Sequence, residues 1–246
     1  MTRATLFSLR VCATLALLVL LYATVRLLWF PGGYFQIFGI GKLLLVAAVG
    51  ATVAGPVLSA VVYKPGKKGL KFDLAVLGII ELAILAWATY EISDRRPVFA
   101  VFAVDRFEAV AAREVDLTEA RFPGLSDWPA TSPRLVYAEL PTDPEVMNRL
   151  IDETVLYGMA DIDRRPEFWK PYPQGIQVLK QAAQPLQALL APDDPRASEV
   201  QHWLRKQASS AEDFLYLPIQ GSKADGTLIV HADIGYPVDV LPIDPW

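Results

Sequence analysis

The chain has 246 residues, 53% of them hydrophobic, and a formal net charge of −4 at pH 7. Residues 1–94 carry 8 basic and 4 acidic side chains, whereas residues 95–246 carry 15 basic and 23 acidic side chains. The acidic second part repels phosphate backbones, which argues against a nucleic-acid-binding protein. The single cysteine, Cys12, lies in the first part and excludes an internal disulfide and a cysteine-based metal site in the second.

Three long apolar runs occupy most of the first part, at residues 6–30, 43–63 and 72–92. A helix rises about 1.5 Å per residue, so a run of about twenty residues crosses about 30 Å of hydrocarbon. The first run is too long for the apolar core of a signal peptide, and no small-x-small cleavage site follows it. We therefore predict three transmembrane helices embedded in a lipid bilayer, the first of them an uncleaved anchor.

The distribution of basic residues predicts how these helices are oriented. The loop between the second and third runs contains four lysines: Lys64, Lys67, Lys68 and Lys71. The loop between the first and second runs has no charged residue before Lys42. Because positively charged loops remain cytoplasmic, we predict a bacterial inner-membrane protein with a cytoplasmic N-terminus and a periplasmic second part. Arg95 and Arg96 oppose this orientation, but the four lysines outnumber them.

Glu81 lies in the middle of the third apolar run and has two interpretations. A carboxylate at that depth is costly and usually faces protein or water, so the first interpretation is a functional role in binding a partner. The second is a protonated side chain that is hydrogen-bonded to a neighbouring helix. In the second run, Gly50, Ala54 and Gly55 allow close approach of helix backbones, and Pro56 predicts a kink.

The second part contains both strand and helix patterns. Apolar runs rich in β-branched or aromatic residues predict strands at residues 98–104, 134–139, 214–220, 227–233 and 238–243. Helices are predicted between Asp143 and Gly158, and at residues 174–190 and 195–207, with Pro185 interrupting the second of these. Residues 105–133 are predicted to form a short helix and irregular connections.

These elements come in blocks rather than in strict alternation, which is typical of an α+β fold. We therefore predict an α-helical membrane domain with three transmembrane helices, residues 1–94, followed by an α+β soluble domain, residues 95–246. In the helix that begins near Asp143, the residues Val146, Leu150, Ile151 and Val155 form one apolar face.

Residues suited to catalysis or metal binding are sparse. His202 and His231 are the only histidines, and neither has a partner at the spacing of a metal site. The sequence contains no HExxH, GxSxG, P-loop or GxGxxG motif. Asp161 and Asp163 resemble half of a calcium-binding loop, but the required glycine and terminal glutamate do not follow them. Two arginines follow instead, so this segment is predicted to be a surface turn. We predict a protein that is not an enzyme, with no catalytic residue, metal or cofactor.

Aromatic residues instead indicate a surface for recognition. Phe168, Trp169 and Tyr172 lie within the eight-residue segment FWKPYPQG. If exposed, such a cluster would be a strong partner-binding site, because aromatic side chains dominate interface hot spots. If buried, it is a packed loop. The C-terminal Trp246 has the same two alternatives, docking on its own domain or contacting a partner.

Four segments resemble type IV pilin accessory proteins of the TfpX/TfpZ type. They are WFPGGYF at residues 29–35, YKPGKKGLKFDLAV at 63–76, RRPVFAVFAVDRF at 95–107 and the terminal IDPW at 243–246. The resemblance extends from the first helix to the last residue, with the segments in the same order. This family is expected to carry a neutral polar residue where the present chain has Glu81.

The resemblance implies a non-enzymatic inner-membrane accessory factor for type IV pilus assembly. Its implied partners are the cognate major pilin and the pilus assembly machinery. Its implied effect is on the balance between pilus extension and pilus retraction. It supplies no catalytic residues. The residues alone leave two further alternatives. One is a membrane-anchored sensor or scaffold that binds a small ligand. The other is a membrane-anchored enzyme, and the absence of catalytic motifs counts against it.

Overall fold

The computed structural model describes residues 2–121, 125 and 133–246. The chain forms two compact units, the first from residues 2–29 and 40–95 and the second from Phe30–Gly39 and Arg96–Trp246. The domain boundaries that the sequence suggests, at residues 1–94 and 95–246, stay a prediction. The packing assigns the short segment between the first two apolar runs to the second unit.

The first unit contains three long helices. The first, α1, spans Arg3–Thr24 and continues into a π-helical turn, Val25–Trp29. The second is one continuous helix made of α3 (Gly41–Thr52), a second π-helical turn (Val53–Val57) and α4 (Leu58–Val62). The third, α5, spans Leu70–Asp94. All three are long and apolar enough to cross a membrane. The predicted set of three apolar helices is therefore confirmed.

Proline and small residues shape the middle helix. Pro56 has no N–H to donate, and its ring crowds the preceding turn. The backbone accommodates Pro56 in the second π-helical turn without ending the helix. Ala47, Ala51 and Ala54 are buried along the same rod, and small side chains of this kind let helix backbones approach closely.

The second unit is built on one mixed sheet. Its strands are β1 (Pro97–Ala103), β2 (Arg106–Ala111), β3 (Arg134–Ala138), β4 (Trp169–Pro171), β5 (Gln184–Pro185), β6 (Phe214–Gln220), β7 (Asp225–His231) and β8 (Pro237–Leu241). The strand order is β4-β3-β1-β2-β6-β7-β8, and β5 pairs with β6. The pairs β1–β3 and β2–β6 are parallel, and the others are antiparallel.

In the described part of the second unit there are four α-helices: α2 (Tyr34–Ile37), α6 (Pro144–Val155), α7 (Ile176–Ala182) and α8 (Ala197–Gln207). Every residue of β1 is buried. One core cluster contains Phe99, Leu150 and Trp169, and another contains Trp203 and Phe214. The predicted α+β class of the soluble part is confirmed.

Several predicted boundaries differ from the structure. Residues 106–111 form β2 rather than a short helix, because their apolar side chains complete a hairpin with β1. The helix predicted at residues 174–190 ends at Ala182, and Pro185 lies in β5 before a 3-10 turn, Leu186–Leu190. Within the connection predicted up to residue 133, residues 122–124 and 126–132 lie outside the described part of the chain.

The segment Phe30–Gly39 is built into the second unit. The carbonyl oxygen of Ile37 accepts hydrogen bonds from the backbone N–H groups of Lys223 (2.9 Å) and Ala224 (3.1 Å), in the turn between β6 and β7. Tyr34, Ile37 and Phe38 are buried. Because residues 30–39 pack with residues 96–246, both lie on the same side of any membrane that the helices cross.

Candidate functional site

Glu81 is the centre of a polar cluster that links α1 and α5. Its carboxylate is buried, accepts a hydrogen bond of 2.5 Å from the Thr14 hydroxyl, and lies 3.4 Å from the guanidinium of Arg10. Arg10 also donates to the carbonyl oxygen of Leu74, at 2.6 Å. Glu81 is thus hydrogen-bonded to a neighbouring helix, and the protonated side chain of the second interpretation stays a prediction. A role of Glu81 in partner binding stays a prediction.

The middle helix leaves room for this carboxylate. A Cβ atom at Gly55 would lie 2.6 Å from a carboxylate oxygen of Glu81, so only glycine fits there without displacement. Ser59 lies one helical turn further along and is fully buried, and its hydroxyl has no hydrogen-bond partner among the described residues. All three long helices therefore contribute to the environment of Glu81. The sequence indicated close packing at Gly55, the glycine next to Pro56. It gave no signal that Glu81 would be the residue packed against it.

A groove of about 390 Å³ runs between α1 and α5. Its lining combines two four-residue seams with Trp29: Leu17, Leu20, Leu21 and Thr24 from α1, and Leu82, Leu85, Ala86 and Thr89 from α5. In both seams the residues recur at i, i+3, i+4 and i+7, the spacing of one helix face. The groove occupies the halves of these helices that lead along the chain to the second unit.

The four lysines predicted to orient the protein lie where α4 joins α5. Lys64, Lys67, Lys68 and Lys71 are exposed. Lys67 forms a 2.7 Å ion pair with Asp73. Their exposure suits a loop in water, and their role in setting the orientation stays a prediction.

The predicted aromatic site is divided between the core and a surface cleft. Trp169 is 1% exposed and packs edge-on against Phe99, and buried Tyr172 donates its hydroxyl hydrogen to the carbonyl oxygen of Gly235. These two rings match the packed-loop alternative and cannot contact a partner in this conformation. Phe168 is half-buried and lines a cleft of about 640 Å³. Partner binding at this loop stays a prediction.

A second exposed apolar surface was not anticipated from the sequence. Of the four residues in the predicted apolar face of α6, only Leu150 is fully buried, and Val155 is 73% exposed. The residues that follow, Leu156 and Tyr157, are 69% and 76% exposed. The helical periodicity placed Val155 in the core, but α6 ends at Val155. Leu150 packs in the core cluster with Phe99 and Trp169, and Val155 is not part of that cluster.

The turn after α6 also differs from the prediction. A turn forms there and Asp161 is exposed, as predicted, but Asp163 and Arg165 are buried. These charged side chains can be buried because ion pairs compensate them. Arg164 of the turn lies near Glu108 of β2 and near Glu114, and Arg165 pairs with Glu153 of α6.

The C-terminal Trp246 docks on its own domain. Its indole N–H donates to Asp225 at 3.1 Å, and the guanidinium carbon of Arg106 lies 5.3 Å from the ring centroid. The carbonyl oxygens of Asp244 and Trp246 both accept from Arg196. Trp246 nevertheless remains 61% exposed.

The histidines form no shared site. His202 is exposed on α8, and His231 accepts a hydrogen bond from the backbone N–H of Asp233 at the end of β7. Among residues 2–121, 125 and 133–246, no three His, Cys, Asp or Glu side chains come together in a way that could hold a metal ion. The prediction that the protein is not an enzyme stays a prediction.

The chain is similar to two proteins of Dichelobacter nodosus. It is 24% identical over 222 residues to "Fimbrial assembly protein, serogroup I", covering 88% of this chain and 86% of the relative. It is 23% identical over 207 residues to "Fimbrial assembly protein, serogroup E1", covering 82% and 80%. No family model matches the chain, and no solved structure matches it. The chain is thus a distant relative of fimbrial assembly proteins along most of its length.

Proposed function

We propose that this protein is a non-enzymatic inner-membrane accessory factor for type IV fimbrial assembly. In this proposal it binds or stabilises the cognate major pilin and influences the balance between fimbrial extension and fimbrial retraction. The observation that carries the proposal is the similarity to fimbrial assembly proteins over more than four-fifths of the chain. The order of three apolar helices and an α+β unit adds support, because it offers contacts both in lipid and in water.

The proposed orientation places the N-terminus in the cytoplasm and the second unit in the periplasm. A fimbrial subunit that awaits assembly has an apolar helix in the membrane and a globular head outside it. A partner with helices and a folded domain on the same side can contact both parts. Two weak contacts joined in one chain act with a high effective concentration, and their combined affinity exceeds that of either alone.

For the contact in the membrane we propose the groove between α1 and α5. Its two seams have the spacing of helix faces, and the bottom of the groove is closed by Leu21 and Leu85, which are 8% and 9% exposed. A single apolar helix can place its own ridge between two such faces. Thr24 and Thr89 are the last residues of the two seams. The Thr89 hydroxyl donates to the carbonyl oxygen of Leu85 at 2.7 Å and can still accept a hydrogen bond from a partner.

For the contact in water we propose the cleft beside Phe168. Apolar helices in lipid discriminate poorly between partners, because lipid tails are as apolar as leucine. Specificity for one pilin then comes from polar and aromatic groups in water, where a mismatched partner leaves them unpaired. Phe168 supplies the aromatic surface, and Lys170, paired with Glu139 at 3.6 Å, supplies a charged rim.

A clean deletion of the gene tests the function. We expect fewer surface fimbriae with unchanged pilin synthesis, measured by shearing the fimbriae from cells and by immunoblotting whole cells. Removal of the retraction motor in the same strain should partly restore surface fimbriae if the protein influences extension against retraction. Normal fimbriae in the deletion strain would contradict the proposal.

Photo-crosslinking in intact cells tests the two contacts. Crosslinkers at Leu20 and Leu82, 65% and 57% exposed at the groove, should trap pilin more efficiently than one at Leu45, which is 64% exposed outside it. Equal trapping from all three would contradict the groove.

Crosslinkers in the second unit separate its two exposed surfaces. Phe168 and Lys170 should trap pilin, whereas Asn148, an exposed position on α6, serves as the control. Trapping from Tyr157 instead would transfer recognition to the apolar end of α6. Trapping only from the helices, including Glu81, would place recognition entirely in the membrane.

A further inference from the structure

Arg164 connects the 3-10 turn Ile162–Arg164 to the sheet. Its guanidinium pairs with Asp163 in the same turn, lies 3.7 Å from Glu108 on β2, and lies 3.8 Å from Glu114 just after β2. Glu114 also accepts the backbone N–H of Ala111 at 3.1 Å, which holds its carboxylate in place. One positive charge therefore serves three carboxylates.

Arg165 connects the same turn to α6. Its Nη1 atom donates to Glu153 in the last turns of that helix at 2.5 Å, and its Nε atom donates to the carbonyl oxygen of Ala160 at 2.7 Å. The two successive arginines thus hold α6 and β2 to one short turn. We name residues 161–165 the arginine clasp.

The charges around Glu108 are unbalanced. Glu108 faces Asp163 and Arg164 from the clasp, Arg106 from its own strand and Asp225 from β7, and Asp161 and uncharged Gln220 line the same cleft of about 280 Å³. Burial raises the pKa of Glu108 to about 7, and the nearby charge of Asp163 adds to the rise. Burial also raises the pKa of Asp163.

We propose that the arginine clasp is a pH-sensitive connection between the sheet and α6, firm while Glu108 carries a proton and weaker once Glu108 is ionised. An ionised Glu108 is attracted by Arg164 and Arg106, but its burial and the negative charges of Asp163 and Asp225 outweigh that attraction while the clasp covers it. The clasp holds the helix that ends in the exposed side chains of Val155, Leu156 and Tyr157. A rise in pH therefore loosens the attachment of this apolar surface, whichever partner it meets.

The direction follows from proton linkage. The pKa of Glu108 is about 7 in the folded protein, above the value of about 4.3 for a glutamate in an unfolded chain. Its contribution to stability is therefore fully present below about pH 4.3 and is lost as pH rises through about 7. This dependence is opposite to that of a carboxylate held by an ion pair alone.

Hydrogen exchange of the full-length protein in detergent micelles tests the proposal. The amides of residues 161–165, 167 and 168 are followed by mass spectrometry at pH 5.5 and pH 8, in the wild type and in Glu108→Gln, which stays neutral. At a given pH the intrinsic exchange chemistry of these amides is the same in both proteins. We expect opening of the clasp to increase about thirtyfold more in the wild type, the change that a pKa of about 7 in the closed clasp and about 4.3 in the open one gives between these two pH values. An equal pH dependence in both would overturn the proposal.

Two variants at partly exposed positions keep the test decisive if Glu108→Gln does not fold. Arg106 lowers the pKa of Glu108 and Asp225 raises it. Arg106→Gln should therefore move the midpoint of the clasp transition to higher pH, and Asp225→Asn should move it to lower pH while keeping an acceptor for Trp246. Unchanged midpoints in both variants would also overturn the proposal.

Discussion

Thr14 and Glu81 are joined by a 2.5 Å hydrogen bond in which the hydroxyl donates to the carboxylate, although 67 residues separate them in the chain. The bond connects the first and third of the predicted spans. Inside a bilayer no water is present to serve as an alternative partner, so polar groups are satisfied within the protein. A single carboxylate in this position therefore fixes how α1 and α5 align.

Replacing Glu81 should destabilise the first unit. Glu81→Ala removes the acceptor of Thr14 and the charge that faces Arg10, and an unsatisfied buried group costs about 1–3 kcal/mol. Glu81→Gln should cost less, because an amide oxygen still accepts from Thr14. Thermal unfolding in detergent, followed by size-exclusion chromatography, measures the difference. Leu82→Ala, at a 57% exposed neighbour, is the control, and an equal loss there would contradict the role of the cluster.

A methyl group at Gly33 should disrupt the second unit. Its Cβ atom would lie 2.2 Å from the carbonyl oxygen of Val240 on β8, a distance that no side chain can occupy. Gly66→Ala is the control: a Cβ there meets no atom within 4 Å, and only its positive φ of 76° carries strain, which costs about 1–2 kcal/mol. Limited proteolysis of residues 96–246 should show the larger effect for Gly33→Ala. Comparable resistance in both variants would contradict the packing of Gly33 on β8.

Truncation of Ile37 should weaken the second unit, most of which is formed by residues 96–246, at least 59 residues later in the chain. Ile37 is 1% exposed, and Ile→Ala substitutions in a core cost about 2–5 kcal/mol. Gln36→Ala, at the exposed preceding position, should change little. Urea unfolding of the second unit, monitored by protease resistance, distinguishes the two. If Ile37→Ala has no effect there, residues 30–39 are not part of its core.

The orientation can be tested with a reporter enzyme that is active only in the periplasm. Fused after Trp246 it should be active, and fused at Gly66, within the lysine-rich loop, it should be silent, because positive loops remain cytoplasmic. The opposite pattern would reverse the proposed orientation. It would leave residues 30–39 and 96–246 on one side, since their packing does not depend on which side that is.

The sequence alone was sufficient for properties that depend on local composition. Uninterrupted apolar length predicts a membrane helix, because the hydrocarbon thickness sets a fixed requirement. The continuous apolar run and β-branched content of residues 98–104, and the cap at Asp143, likewise predict a strand and a helix from neighbouring residues. Asp143 accepts from the backbone N–H of Glu145, as such a cap requires.

Relationships between distant residues required the tertiary structure. The segment WFPGGYF reads from sequence as a loop between two helices, but its glycines fit against β8, and no local signal identifies β8 as the partner. The burial of Trp169 and Tyr172, and the exposure of Val155, depend on which strands and turns cover them. Glu81 could be recognised as costly from its position in an apolar run. Its partners, Thr14 and Arg10, became apparent only once α1 lay beside α5, because side-chain pairing across helices depends on packing rather than on sequence spacing.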